Sequence, residues 1–237
     1  MKWLQNKKTL LRSGFLNHFT DYHSHILPGV DDGIKTLEES LKLLHLFEEE
    51  GVKSMVLTPH IMDEYPKNDT TFLRARFEEL QQQYHGSMEL RLGGEYMIDS
   101  KFGDHLQKGD LLTIKDNYLL VETSYVFEPP GFMASIKEAK DKGYQIVLAH
   151  PERYSYMNKE HHRQLRQLGV LYQLNLPSVL GFYGPKVSQN ALELLESDSY
   201  QFIGSDIHRL VSFQEIFGKR KVNGRLLKKL ETCPFRT

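Results

Sequence analysis

The chain has 237 residues, enough for one large domain or two small ones. It is 40% hydrophobic and 26% charged, an ordinary balance for a globular protein, and its formal net charge of -1 leaves no basic excess for a nucleic-acid backbone. Its single cysteine, Cys233, excludes an internal disulfide framework and a thiolate cluster, and fits a reducing compartment.

The opening stretch MKWLQNKKTLLRSGFLNHFT is basic, but Arg12, Ser13 and Asn17 break its apolar run, and it lacks a signal peptide's pattern. We read residues 1–20 as a loosely packed N-terminal extension and residues 21–237 as a single domain. No run reaches about 18 uninterrupted apolar residues, so no membrane insertion is expected, and the expected location is the cytoplasm. HFTDYHSHI (18–26) is a weak strand candidate. Leu37, Leu41, Leu44 and Phe47 then recur on one helical face, with Thr36 and Glu39 as a capping box and Gly51 as the stop.

SMVLTPH (54–60) reads as a buried strand. Leu73, Phe77, Leu80 and Tyr84 predict the next helix, and MELRLGGEY (88–96) the next strand. The link from there to the strand YLLVETS (118–124) has little room for a long helix. Phe132, Ile136 and Ala139 predict a helix stopped by Gly143. QIVLAHP (145–151) is a strand, Leu165 and Leu168 mark a short helix, and LYQLNL (171–176) is a strand. Val187, Ala191, Leu194 and Leu195 mark a further helix before the strand YQFIGSD (200–206). Strands alternating with helices favour a parallel sheet. About seven strands without a dinucleotide-type glycine loop favour an α/β barrel of TIM-like kind, irregular near the third strand.

The acids and histidines fall at the ends of these strands. His23 and His25 close the first, His60 the second, Glu95 the third, Glu122 the fourth and His150 the fifth; Asp206 and His208 close the last. In a parallel barrel such residues gather at one face, where active sites of this architecture lie. Spacing of two puts His23 with His25, and Asp206 with His208, on common sides. Either Asp31 or Asp32 adds a fourth carboxylate, the other capping the DDG turn. Five imidazoles and four carboxylates suit a centre of three divalent ions. Nitrogen and oxygen donors without thiolate point to Mn²⁺ first, with Fe²⁺ or Zn²⁺ as alternatives. A single buried histidine is more often a core residue than a ligand. Four buried carboxylates, however, need cations, and no matching set of lysines and arginines accompanies them. His45 shares a polar helix face with Glu38, Lys42 and Glu49 and reads as solvated. His18, His85, His105, His161 and His162 fall in loops or at helix edges.

HSH, DDG, TPH, GGE, VET, AHPERY and SDIH, in that order over roughly residues 20–230, resemble the polymerase and histidinol phosphatase (PHP) superfamily. Within it they are most similar to the bacterial metal-dependent protein-tyrosine phosphatases of capsule and exopolysaccharide loci. The resemblance implies a distorted (β/α)7 barrel with a trinuclear centre. By that pattern His23, His25, Glu95 and Asp206 hold one ion, Glu95, Glu122 and His150 a second, and Asp32, His60 and His208 the third. It also implies a phosphotyrosine protein substrate, the tail of a membrane tyrosine autokinase of polysaccharide assembly. Two departures stand out. The segment before His23 is longer than the family's, and Arg209 follows His208 where a smaller polar residue is expected.

Arg153, just past His150, is the expected phosphate clamp, because a guanidinium meets two phosphoryl oxygens at once; Arg209 is a second candidate. Aromatic residues in YVFEPPGF (125–132), RYSY (153–156) and GFY (181–183) could wall a phenyl ring. A small-molecule phosphatase, acting for example on histidinol phosphate, is the alternative reading. A non-catalytic binding module and a nucleic-acid proofreading domain fit less well, since all nine donors are present and no basic stripe exists.

Overall fold

The structure is a computed structural model that describes residues 7–236. Seven parallel strands form its centre: β1 (Thr20–Ser24), β2 (Ser54–Leu57, resuming at His60–Ile61), β3 (Glu89–Leu92, resuming at Glu95–Met97), β4 (Tyr118–Glu122), β5 (Gln145–Ala149), β6 (Leu171–Asn175) and β7 (Tyr200–Gly204). Pairing runs β1–β2–β3 and onward through β4, β5 and β6 to β7. A parallel bridge between Ser24 and Ile207 closes the ring. At that seam the Asp206 amide donates to the His23 carbonyl at 2.8 Å and the His25 amide donates to the Ile207 carbonyl at 3.0 Å. The expected seven-stranded α/β barrel of PHP type is thus the observed architecture.

The expected irregularity near the third strand is also present. β2 breaks at Thr58–Pro59 and β3 at Gly93–Gly94, and between β3 and β4 there is room only for the seven-residue helix Phe102–Lys108. Both strands resume just where His60 pairs in register with Glu95.

Two apolar layers hold the barrel. Tyr22, Val56, Leu120, Val147 and Phe202 fill its interior. Met55, Leu57, Leu119, Val121, Ile146, Leu148, Leu174 and Ile203 face the surrounding helices. This alternation follows from side chains pointing to opposite faces of successive residues. Phe235 stacks on Phe202 with centroids 4.6 Å apart and plugs the end where the strands begin.

Three expectations need correction. The helix Leu37–Glu49 buries Ser40, Leu43, Leu44 and Phe47, whereas Leu37 is 39% exposed at its first position. Its buried seam is rotated because Ser40 Oγ donates to the Ile26 carbonyl beneath it. Thr36 caps that helix by accepting from the Glu39 amide at 3.2 Å, one half of the expected box. Residues 1–6 of the expected extension lie outside the described residues, but residues 7–20 are not loose. Leu10, Phe15, Leu16 and Phe19 are buried core, and Lys8–Thr9 pairs antiparallel with Lys221–Val222.

Gly204 ends β7 against β1. A Cβ there would collide with the Cβ of His23 and lie 2.8 Å from Gln173 Nε2. Gly204→Ala is therefore expected to lower stability by ~1–3 kcal/mol through overpacking. Urea unfolding of the purified variant measures this; an unchanged midpoint would mean that β1 and β7 have slack at the seam.

Candidate metal centre

The strand ends converge as the sequence requires, but backbone detail does part of the work. Tyr22 lies in the barrel interior, yet His23 beside it also reaches the central cluster. Two successive residues on one side of a strand need a break in alternation, and the β1–β2 register shifts between Asp21 and Ser24. His150 would point outward with Leu148 by alternation. Its backbone instead enters the left-handed region, at φ 32°, and turns the imidazole inward; Asp206 shares that region at φ 49°. Such conformations are uncommon for residues with a Cβ and persist where surrounding structure imposes them.

All nine side chains come together, all buried except Asp32 and His208. His23 Nε2 lies 3.2 Å from Glu95 Oε2 and 3.5 Å from Asp206 Oδ1. His25 Nε2 lies 3.3 Å and 3.4 Å from the same two atoms. His150 Nε2 is 3.0 Å from Glu95 Oε1 and 3.9 Å from Glu122 Oε2. His60 and His208 approach Asp32 Oδ1 through Nε2, at 3.4 Å and 3.5 Å. His60 differs from the expected grouping: its Nδ1 also reaches Glu122 Oε1 at 2.9 Å and Glu95 Oε2 at 3.1 Å, so one ring spans two clusters.

The histidine tautomers are set from behind. His23 Nδ1 meets Gln173 Oε1 at 2.9 Å, an oxygen that can only accept, so Nδ1 carries the proton. His25 Nδ1 faces Asp31 Oδ2 at 2.9 Å, and His208 Nδ1 faces the Asp206 carbonyl at 2.9 Å. In all three rings the Nε2 lone pair is aimed at the carboxylates. His23 Nε2 and His25 Nε2 stand only 3.1 Å apart. Outer partners that fix a ring this way are the usual support of a metal-ligating histidine.

Asp31 and Asp32 stand in different settings. Asp31 is buried, accepts from the Gly33 amide at 2.9 Å and the His60 amide at 3.1 Å, and orients His25. Burial opposes its ionisation, yet the His25 imidazole holds its carboxyl down at about 2. Asp32 projects into the cleft, its carboxyl held low by the His208 and His60 imidazoles beside it.

Burial opposes charge throughout the cluster, and the groups answer one another. The surrounding carboxylates hold His25 and His60 well above the usual histidine range. His23 and its neighbours hold Glu95 and Asp206 well below the carboxylate range. The fit to real cations shows in the atoms left over. Glu95 Oε2, Glu122 Oε1, His60 Nδ1 and His150 Nδ1 are buried with no hydrogen-bond partner among the described residues. The first three crowd together without hydrogen-bond geometry, as donors to a common ion would. Three groups within ion-holding distance can be drawn: His25, Asp32, His60 and His208; His23, His25 and Glu95; and His60, Glu95 and Glu122.

Arg153 is no surface residue. Its guanidinium lies between the rings of Tyr125 and Tyr183, 4.4 Å and 4.3 Å from their centroids, and one nitrogen donates to Asp206 Oδ2 at 2.8 Å. Its other N–H groups have no protein partner among the described residues. Arg209 is exposed and lines the same cleft from the segment that follows β7. That cleft holds about 560 Å³ and is walled by Tyr65, Tyr125, Phe182 and Tyr183 above the ring. The other histidines stay outside: His45 pairs with Glu48, His161 completes a helix cap on Asn158, and His162 bonds the Tyr172 hydroxyl.

Sequence reading missed three supports. Gln173 orients His23, Asn175 donates to Asp206 Oδ2 at 2.6 Å, and Tyr65 stacks on His60 with centroids 6.0 Å apart. Gln173 and Asn175 were visible as polar residues alternating with Tyr172 and Leu174 inside an apolar strand, a pattern that points both into the barrel.

A family model described as capsular polysaccharide synthesis, CpsB/CapC, matches residues 19–214. The tyrosine-protein phosphatase CpsB of Streptococcus pneumoniae is 31% identical over 207 residues, covering 81% of this chain and 84% of that protein. The tyrosine-protein phosphatase YwqE of Bacillus subtilis is 27% identical over 196 residues, covering 80% and 77%. A crystal structure from work on YwqE and CpsB as metal-dependent tyrosine phosphatases superposes with a TM-score of 0.74 at 24% identity, over 92% of this chain and 95% of that one, a likeness of fold. With most of its length matched by the family model and by these relatives, the chain belongs to the CpsB/CapC family of capsular polysaccharide synthesis proteins.

Proposed function

We propose that the protein is a metal-dependent phosphatase that hydrolyses phosphotyrosine in proteins. The observation that carries this reading is the set of three imidazoles whose Nδ1 atoms are engaged behind them and whose Nε2 atoms face carboxylates, beside an arginine with free donors. The names of the relatives supply the substrate class.

We assign His23, His25, Glu95 and Asp206 to one ion, Glu95, Glu122 and His150 to a second, and Asp32, His60 and His208 to a third. His60 is close enough to Glu122 to serve the second as well. The donors are nitrogen and oxygen alone, which favours Mn²⁺, then Fe²⁺ or Zn²⁺. When bound, such ions neutralise phosphoryl charge and supply a nucleophile at neutral pH. The chain's own groups do the rest. Arg153 keeps its plane between two tyrosine rings and presents its remaining N–H groups to a phosphoryl oxygen. Tyr65, Tyr125, Phe182 and Tyr183 exclude water around the ester and pack a phenyl ring. A phenol, with a pKa of about 10, leaves without a strong proton donor. Arg209 is a second anion contact at the open side. The partner we infer is the tyrosine-phosphorylated tail of a membrane autokinase of polysaccharide assembly, met in the cytoplasm. Among the described residues no helix is long and apolar enough to cross a membrane.

Turnover of a phosphotyrosyl peptide should vanish with a chelator and return with Mn²⁺. Loading displaces protons from the raised histidines, so metal affinity should climb with pH. A thiol-alkylating reagent should leave turnover intact, because Cys233 is buried and its thiol is pushed up to about 11 by burial. Loss on alkylation with indifference to chelator would sink the metal mechanism.

Arg153→Ala should cost ~2–4 kcal/mol of barrier, about 30- to 1000-fold in rate, because the contact strengthens as charge spreads over the phosphoryl oxygens. Arg153→Lys should recover part of it, since an ammonium cannot make the planar two-point contact. Metal content measured alongside kcat should not change. Full activity in Arg153→Ala would move the clamp to Arg209.

A further inference from the structure

Single exposed apolar side chains are ordinary on protein surfaces, and contiguous ones near a site are not. Among the described residues the three most exposed large apolar side chains are Val211 at 78%, Val126 at 72% and Phe127 at 60%. All three lie within two residues of a cleft-lining side chain: Val126 and Phe127 follow Tyr125, and Val211 sits between Arg209 and Ser212.

Both segments are tied to the body of the protein. The Tyr125 carbonyl accepts from the Ser155 amide at 2.8 Å and from Ser155 Oγ at 3.0 Å, while Tyr125's ring covers Arg153. Glu128, just beyond Phe127, reaches His161 at 3.6 Å. The Val126–Phe127 pair thus lies between a backbone tie at Tyr125 and a surface contact at Glu128, with both side chains exposed. Val211 is fixed in the short helix Leu210–Phe213, whose Phe213 is buried against Phe47 and Phe217.

We infer that Val126, Phe127 and Val211 form an apolar rim that binds the residues flanking the phosphorylated tyrosine of a polypeptide substrate, with preference for apolar flanks. This rests on the phosphatase reading above. The occupant follows from continuity: the cleft takes in one side chain, and the main chain that carries it has to cross the rim on leaving. A free phosphate ester does not extend that far. The rim thereby favours a polypeptide over a small metabolite at the same metal centre.

The test uses the full-length, metal-loaded protein and three substrates: a phosphotyrosyl peptide with leucine and isoleucine flanks, the same peptide with serine and glycine flanks, and 4-nitrophenyl phosphate. The parent should prefer the apolar peptide. The double variant Val126→Ser/Phe127→Ser, and separately Val211→Ser, should raise KM for that peptide about tenfold, the cost typical of losing a central apolar contact. Both should turn over 4-nitrophenyl phosphate as the parent does. Equal KM values for the two peptides with intact 4-nitrophenyl phosphate turnover would overturn the rim alone. So would variants that leave peptide kinetics untouched but convert an oligomer to a monomer in sedimentation, which would give these side chains to a contact between copies. No turnover of 4-nitrophenyl phosphate by the loaded parent would overturn the phosphatase reading and the rim with it.

Discussion

Glu95 lies wholly inside the protein, with one carboxylate oxygen against the His150 ring and the other lacking any hydrogen-bond partner among the described residues. Around it stand Glu122 and Asp206, also buried, and Asp32 at the rim. Burying carboxylates without counter-charge costs several kcal/mol each. Among the described residues Arg153 alone, of the lysines and arginines, reaches one of the four within ion-pair distance. The five imidazoles have to supply the remainder, either protonated or as ligands of bound cations. That demand explains why histidines and acids occupy the same strand ends, and why their neutral tautomers are prepared from behind.

The barrel makes the arrangement possible at a local cost. Parallel strands deliver their ends to one face. Simple alternation would still miss two positions. A register shift in β1 brings His23 inward beside Tyr22, and a left-handed backbone at His150 turns its ring to Glu95. The interruptions of β2 and β3 belong to the same account, since both strands resume at the paired residues His60 and Glu95. The apolar layers on both sides of the sheet, and Phe235 at the far end, stabilise the fold enough to hold these irregularities in place.

Much of this was legible in the sequence, because strand ends and donor residues are both local signals. HSH and SDIH carry their geometry in a spacing of two, and short apolar runs mark where each strand must stop. What the sequence concealed depends on the partner a residue meets. Gln173 and Asn175 looked like interruptions of an apolar strand, and only the neighbouring His23 and Asp206 make them orienting groups. The two tyrosines around Arg153 come from loops almost sixty residues apart, a contact no periodicity encodes. The seam of the helix Leu37–Glu49 was misjudged by a fraction of a turn because Ser40 is buried for its hydrogen bond, not for hydrophobicity. The buried Leu10, Phe15, Leu16 and Phe19 escaped notice because they lie on a single helical turn and the loop after it, too short for a repeating pattern.

We read this ring of acids and imidazoles as a centre for three divalent ions. Counting metal per chain tests it most directly: protein purified without chelator and equilibrated with Mn²⁺ is freed of unbound ion and analysed by elemental mass spectrometry. Three ions per chain are expected, with Glu95→Gln losing more than one because Glu95 stands in two of the groups. One ion or none, in protein that still hydrolyses a phosphotyrosyl peptide, would contradict it.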